Sequence, residues 1–310
     1  MTTYVLRRVL LIVPTALLAV TLVFFIFRFI PGDVARIIAG ERATEDEVAM
    51  IREQLGLNDP ILVQYGRYLA GLARADLGQS MVYRRKVTDE ILTRLPATLE
   101  LALAGVMVSV VLGITTGLVS AVKRNTILDH LSMVTAIGGI CIPNFWLGLL
   151  LIMFFSVSLG WLPSGGRGGI AYLVLPTIAL AARLVAVIAR LTRSAMLEVI
   201  SQDYIRTARA KGLGGRVVLM RHALPNAMIP VVTIVGLQFG TLLAGSVVVE
   251  IVFTWPGMGS LLITAVNTRD YPMVQGVILF YTIAFMLVNL LTDLAYGFFD
   301  PRIRLATTKG

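Results

Sequence analysis

Charge is scarce in this sequence. Aspartate, glutamate, lysine and arginine make up 15% of its 310 residues, while 57% are hydrophobic. That balance is far too apolar for an ordinary soluble domain. Cysteine occurs once, as Cys141, and histidine twice, as His130 and His222. A single cysteine excludes an internal disulfide and reads most simply as a small packed residue. Two distant histidines give no metal-ligand spacing, so no metal centre is expected. The chain has no Gly-x-x-x-x-Gly-Lys-Ser/Thr phosphate loop, so no ATP chemistry of its own is expected and no catalytic residue is assigned. Acid is scarcer than base, 18 residues against 27. The bases are dispersed without interleaved aromatics, which argues against a nucleic-acid partner.

Uncharged runs are abundant instead. Residues 9–27, 101–122, 131–166, 223–249 and 271–292 contain no charged side chain, and 172–189 is interrupted by Arg183 alone. A bilayer core of ~30 Å needs ~20 apolar residues per helix. The expectation is therefore an all-α integral membrane protein with six transmembrane helices. The first run is too long for a typical signal core, and no convincing small-residue cleavage site follows it, so it is expected to remain as an uncleaved first helix. Placing the N-terminus on the cytoplasmic side gathers Arg7, Arg8, Lys123, Arg124, the basic residues of 190–226, and Arg302, Arg304 and Lys309 on that side. This satisfies the positive-inside rule.

The 190–226 stretch is the most polar part of the second half. Within it, 201–212 reads as one short helix. Ser201 or Asp203 can cap its first amides, Asp203 suits the positive end of the helix dipole, and Gly212 supplies a left-handed stop. At two or three turns it is too short to be stable alone, so it needs a surface to lie on.

Several local readings follow in chain order. Thr44-Glu45-Asp46-Glu47 is a capping box that opens an amphipathic helix with Val48, Ile51 and Leu55 on one face. Ile61, Tyr65, Tyr68, Leu69 and Leu72 mark another. This segment is either a cap on the outer mouth of a bundle or a docking site for an external partner. Small residues at every fourth position, Gly105, Ser109, Gly113, Gly117 and Ala121, allow close helix approach, within this subunit or against another. Ile142-Pro143-Asn144 should kink the third span. Asn144 must then line a pathway or make a buried hydrogen bond. Arg183 costs ~2.5–3.5 kcal/mol at a helix centre on insertion scales, so it should face the bundle interior or snorkel inward, with Asp293 as one candidate partner. Trp255-Pro256-Gly257 is a turn, and Ser260 can cap a short apolar helix over 261–266 that lies at or dips into the membrane interface. Trp161, Tyr172, Trp255 and Tyr271 fall at one expected level, as an aromatic belt should.

Taken together, Asp203-Tyr204-Ile205-Arg206-Thr207-Ala208-Arg209-Ala210-Lys211-Gly212 and Leu224-Pro225-Asn226 resemble the cytoplasmic Glu-Ala-Ala loop of binding-protein-dependent ABC importer permeases. Val249-Glu250, Phe253, Trp255-Pro256-Gly257, Gly259, Arg269-Asp270-Tyr271-Pro272, Asp300-Pro301, Pro31-Gly32-Asp33, Leu55-Gly56-Leu57 and Leu95-Pro96-Ala97-Thr98-Leu99-Glu100 extend the likeness nearly end to end. They are similar to the B-type permease of the dipeptide/oligopeptide/nickel group. Arg206 and Thr207 stand where the broad superfamily has its Glu and first Ala.

The resemblance implies a type I ABC importer permease fold. Residues 1–30 would be the first transmembrane helix, 31–95 an extracytoplasmic helical segment, 96–300 a five-helix core with a cytoplasmic coupling loop at 190–226, and 301–310 a cytoplasmic tail. It implies a multi-pass subunit of the bacterial inner membrane, both termini cytoplasmic, forming half of a pathway for peptides or related small solutes. Implied partners are a second homologous permease, two cytoplasmic ATP-binding subunits holding ATP and magnesium, and an extracytoplasmic solute-binding protein. Coupling would run through the 201–215 loop, by Asp203, Tyr204, Arg206, Thr207, Ala208, Arg209, Ala210, Lys211 and Gly212. Glu250, Phe253, Trp255, Pro256, Gly257, Gly259, Arg269 and Asp270 would form an external gate or binding-protein contact. Asn144 and Arg183 are candidate pathway residues. The reading kept beside this one is an ATP-independent secondary transporter or channel. Scarce intramembrane acids and the lack of an obvious inverted repeat count against it.

Overall fold

The computed structural model describes residues 2–29, 33–40, 43–54 and 56–299. Pro31, Gly32, Leu55, Asp300, Pro301 and the tail 301–310 lie outside the described residues, as do the side chains of Arg7, Arg8 and Asp293. The described chain is helical, with α1 Thr2–Phe29, α2 Val34–Ala39, α3 Glu45–Gln54, α4 Ile61–Ala73, α5 Val87–Val122, α6 Ile127–Cys141 and α7 Asn144–Leu151. It continues through α8 Ile170–Ile200, α9 Asp203–Ala210, α10 Gly215–Val217, α11 Leu224–Val252, α12 Met258–Asn267 and α13 Tyr271–Phe299. Extended pairing among the described residues is confined to one isolated bridge, Gln79 to Lys86.

Four described helices are long and apolar enough to cross a membrane: Val87–Val122, Ile170–Ile200, Gly215–Leu243 and Tyr271–Thr292. A fifth span arises if Ile127–Cys141 and Asn144–Ser158 are taken as one, and these meet at 106°. The expected kink at Pro143 is therefore a full break. Pro143 takes the cap position before Asn144, at extended φ −62° and ψ 137°. Proline cannot donate a backbone bond, and it pushes the preceding residue out of the helical region. Beyond α7 the backbone widens into a π-helical turn over Ile152–Ser158.

The chain divides into two compact units. Among the described residues, one contains 98–256 and 287–299; the other contains those from 2 to 97 and 257–286. The division falls inside α5, which begins at Val87 and runs through Pro96. The helix thus starts well before the expected boundary at 95/96.

In the first unit α8 is the central helix, with Leu175, Ala179, Ala181, Ile188, Ala189, Thr192 and Met196 buried along it. The small stripe on α5 is fitted to it. A Cβ at Gly113 would lie 2.6 Å from Ile188, and one at Gly117 would lie 2.5 Å from the Ala189 carbonyl oxygen. Ser109 Oγ donates to Ala181 O at 3.3 Å. Of the two readings of this stripe, packing within the subunit is the one observed.

In the second unit the capping box forms both of its bonds. Thr44 N donates to Glu47 Oε2 at 2.8 Å, and Glu47 N donates to Thr44 Oγ1 at 3.3 Å. Helices α1 and α4 meet through Phe24, which stacks on Tyr68 at 5.6 Å, and through a 2.6 Å hydrogen bond between Thr21 and Tyr65. Burial pushes the Tyr68 hydroxyl up to about 12, because desolvation disfavours the phenolate. Helix α12 packs one apolar face inward and leaves Ile263 and Val266 exposed on another. It buries Met258, Leu261 and Ala265 in a core with Val87, Ile91, Met273, Val274 and Val277.

Candidate functional site

Helix α9 forms where the sequence places it, but its start is capped differently. Gln202 occupies the cap position without a side-chain bond, and Ser201 Oγ turns back to Glu198 O at 2.7 Å. Asp203 falls in the first turn as the dipole favours,. The other end closes in a Schellman motif. Gly212 has φ +80°, Gly212 N donates to Arg209 O at 2.9 Å, and Leu213 N donates to Ala208 O at 3.4 Å. These bonds satisfy carbonyls that a helix end otherwise orphans.

The surface this helix needs is provided by the first unit. Ile205 and Ala208, one turn apart, are buried with Ala121, Ala195, Met196, Val218, Ala223 and Ala227. Asp203, Tyr204, Arg206, Thr207, Arg209, Ala210, Lys211 and Gly212 remain exposed. Seating two apolar residues fixes the helix while its basic side faces outward. After Gly212 the chain passes through α10 and a π-helical turn, Val218–Ala223, directly into α11. A displacement of α9 therefore has a short, hydrogen-bonded route into a long helix.

An ion pair with a buried aspartate and a half-buried arginine, which the sequence reading missed, stands on the same unit. Arg193 Nε and Nη2 donate to Asp129 Oδ1 and Oδ2 at 2.7 and 2.8 Å. Asp129 also accepts from Ser120 Oγ, and from Asn125 N at 2.9 Å. The pair joins the first turn of α6 to α8, three residues before Met196 of the α9 seat. A signal existed: Thr126-x-x-Asp129 has capping-box spacing.

The 249–272 motif residues are mostly hidden. In the first unit, Glu250 is fully buried and accepts from Thr98 Oγ1 at 2.7 Å and Ser246 Oγ at 3.3 Å. Phe253 packs its ring on Gly148, and its carbonyl accepts from Gly166 N at 2.8 Å. Trp255 is 1% exposed, whereas Trp161 is 69% exposed. The expected belt therefore loses Trp255, and Tyr271 is buried too.

In the second unit, Asp270 is fully buried. It accepts from Ser80 Oγ, Met81 N at 3.2 Å, Val82 N at 3.3 Å and Met273 N at 3.3 Å. It ties the 78–87 turn to the start of α13. Gly257 and Gly259 are buried at the start of α12, and Ser260 lies inside that helix, bonding Gly257 O at 2.8 Å. Pro256 and Arg269 are half-buried, Arg269 with φ +53°.

The two candidate pathway residues come together. Asn144 at the start of α7 and Arg183 on α8 line one open cleft of about 160 Å³ with Gln238 and Thr241 of α11. Arg183 is exposed and has no ion-pair partner among the described residues, where Asp293's side chain is not included. No group of three or more metal-ligating side chains occurs among the described residues.

The site thus combines an apolar helical scaffold, a broken span and a short exposed helix carried on a tight elbow. The chain's backbone resembles solved importers. An inward-facing MetNI methionine ABC transporter matches with a TM-score of 0.57 at 20% identity, over 68% of this chain and 96% of that one. An amino acid ABC transporter crystallised with histidines matches at 0.55 and 17% identity, over 68% and 94%. At that identity the likeness is one of fold.

Sequence gives the family. The model of the binding-protein-dependent transport system inner membrane component matches residues 113–305, and that of its N-terminal region matches 1–102. The glutathione transport system permease protein GsiC of Escherichia coli K12 is 46% identical over 98% of this chain and 99% of its own length. The GsiC protein of Salmonella paratyphi A is 47% identical over the same shares. The chain belongs to the binding-protein-dependent transport permeases and is of the dipeptide/oligopeptide/nickel type. It is a permease subunit of an ABC importer, and the ATPase is a separate subunit. The ATP-independent reading is not favoured.

Proposed function

We propose that this chain forms half of the translocation pathway for glutathione or a closely similar short peptide, and that α9 is the element moved by the ATPases. The seating of α9 carries the reading. Ile205 and Ala208 are buried, while Tyr204, Arg206, Thr207, Arg209 and Lys211 face outward beside a left-handed elbow at Gly212. Such a helix transmits a push from a docked partner into α8 and α11 as a rigid body. The solute assignment is supported by identity of 46–47% to permeases named for glutathione.

In this reading α1 is a sixth span, residues 31–95 form an extracytoplasmic segment, and 96–300 form the permease core. The 190–226 loop and both termini are cytoplasmic. A second, homologous permease completes the pathway, two ATPase subunits bind ATP and magnesium, and an external binding protein delivers solute. At the external end, Glu250, Phe253 and Trp255 act as the rigid frame of a gate and Asp270, on the other unit, as a local clamp, because burial removes each of them from direct contact. The exposed parts of the same turns, such as Thr254, are left to meet the binding protein.

The test is cross-linking in the full assembly. A cysteine at Arg209, in a Cys141→Ser background, should capture an ATPase subunit, and vesicles holding all subunits should take up glutathione only with ATP. Absence of any ATPase adduct from positions 206, 209 and 210 would remove the coupling role. Uptake without ATP would revive the secondary-transporter reading.

A further inference from the structure

Arg183 sits near the middle of α8, a helix of 31 residues that spans about 46 Å at 1.5 Å per residue,. It interrupts an otherwise uncharged run, 172–189, and a cation within such a run faces a bundle interior or an aqueous cavity, or snorkels toward an interface. Here Arg183 has a cleft beside it. It is exposed on the isolated chain and lacks an ion-pair partner among the described residues. Its surroundings are selective in character. Asn144 and Gln238 contribute amide groups, and Leu180, Leu184 and Leu242 make an apolar wall. Thr241 Oγ1 donates to Gln238 O at 2.8 Å and stands 3.4 Å from Gln238 Oε1. The amide of Gln238 keeps both its N–H₂ donors and its oxygen near the cleft, and the N–H₂ group is the part that suits an anionic ligand. The cleft offers donors and a positive charge, and no acidic residue lines it.

We propose that Arg183, with Asn144 and Gln238, is a carboxylate-binding subsite inside the pathway, which holds a carboxylate of the peptide during passage. The proposal rests on the solute reading above. A guanidinium matches a planar carboxylate through two parallel hydrogen bonds, and neutral amides beside it add donors without competing charge. The low-dielectric apolar wall strengthens the attraction. The break at Pro143 places Asn144 at the start of α7, so a rearrangement of α7 against α8 would change the number of donors facing the ligand. That provides a way to release what was held.

The experiment uses the complete assembly in vesicles, with glutathione and its two monoamides, each lacking one carboxylate charge. Arg183→Gln should lower ATP-dependent glutathione uptake about tenfold or more, the scale of a charge-assisted bond. Uptake of one monoamide should change less than twofold, because the removed charge no longer has a carboxylate to meet. That non-additivity identifies the contact, since only a direct pair couples solute and side chain. Arg183→Lys should be intermediate, and Gln238→Leu should weaken glutathione uptake several-fold with the charge still present. Equal loss for glutathione and both monoamides would overturn the subsite and assign Arg183 to an ion pair with the second permease. Unchanged uptake in Arg183→Gln would overturn it as well. A wild-type assembly that moves none of the three solutes would instead overturn the solute reading, and the subsite with it.

Discussion

Two motif regions of this permease use burial in opposite ways. Helix α9 hides only Ile205 and Ala208 and exposes the rest of its length. Asp270 hides its carboxylate completely and spends it on four donors from the 78–87 turn and the start of α13. The first arrangement is that of a handle, whose exposed residues cost the fold little to change. The second is that of a clamp, in which the functional motif and the stability of the unit are the same atoms. Substitutions should therefore separate folding from coupling at α9 and fail to separate folding from function at Asp270.

The largest effect is expected at the clamp. Asp270→Ala leaves four donors of a buried site without their acceptor, at a cost of about 1–3 kcal/mol for each group that water cannot reach. Partial relaxation of the turn limits the sum to about 3–5 kcal/mol. The purified variant should melt far below the parent and accumulate poorly in membranes. A variant with parental melting and normal yield would show that the turn at 78–87 is held by other means.

Next comes the seat of α9. Ile205 is fully buried, and Ile205→Ala removes methyl and methylene groups from a core that includes Met196 and Val218. Such truncations cost about 2–5 kcal/mol when the site collapses poorly. Because α9 is only eight residues long, the loss should appear first as local fraying. Proteolysis after Arg206 or Arg209 should accelerate more than global melting falls. Equal changes in both would mean that the helix and the unit unfold together.

How much of this was legible depends on whether the cause is local. The stop at Gly212 and the capping box at Thr44–Glu47 are set by residues within one turn of each other, and both formed as the sequence predicts. The cap of α9 was misread because Ser201 had a nearer acceptor, the Glu198 carbonyl at the end of α8. The break at Pro143 was legible as a kink but not as a 106° turn, since neighbours decide how far a proline-interrupted helix bends,. Long-range pairs were illegible: Asp129 with Arg193, Thr98 with Glu250, and Ser80 with Asp270 are separated by 64, 152 and 190 residues. Trp255 was placed by its amphipathic character in a belt, yet the tight turn that follows α11 encloses it. The convergence of Asn144 and Arg183 on one cleft could not be read from their spacing, although each drew attention as a polar group in an apolar run.

The effect expected at the elbow is smaller again. Gly212 has no heavy atom within 4 Å of an added Cβ, so a side chain would meet strain in the backbone and not a clash. A non-glycine residue at φ +80° costs about 1–2 kcal/mol,, and a β-branched one tends to the upper part of that range. Gly212→Val should therefore remain folded in the membrane, while substrate-stimulated ATP hydrolysis by the assembly falls to its basal level. Normal stimulation would show that the left-handed turn is dispensable to coupling.

The smallest effect on folding is expected on the exposed face of α9, where the comparison is sharpest. Arg206 is exposed, and its ion pair with Asp203 at 3.7 Å is exposed as well. Surface substitutions of this kind usually change stability by less than about 0.5 kcal/mol. Arg206→Ala should melt with the parent and assemble in the same amount. If α9 is a handle gripped through its charged side, the same variant should lose most of its coupling between ATP hydrolysis and uptake, with Arg206→Lys retaining a part of it. A compact ammonium keeps the charge but lacks the planar fork that pairs two-fold with a carboxylate. The ratio of the two variants thus reports whether the partner reads charge alone or geometry. Full coupling in both would mean that the grip runs through Tyr204 and the helix backbone, and that Arg206, standing at a position of different charge from the broad superfamily pattern, has no part in it.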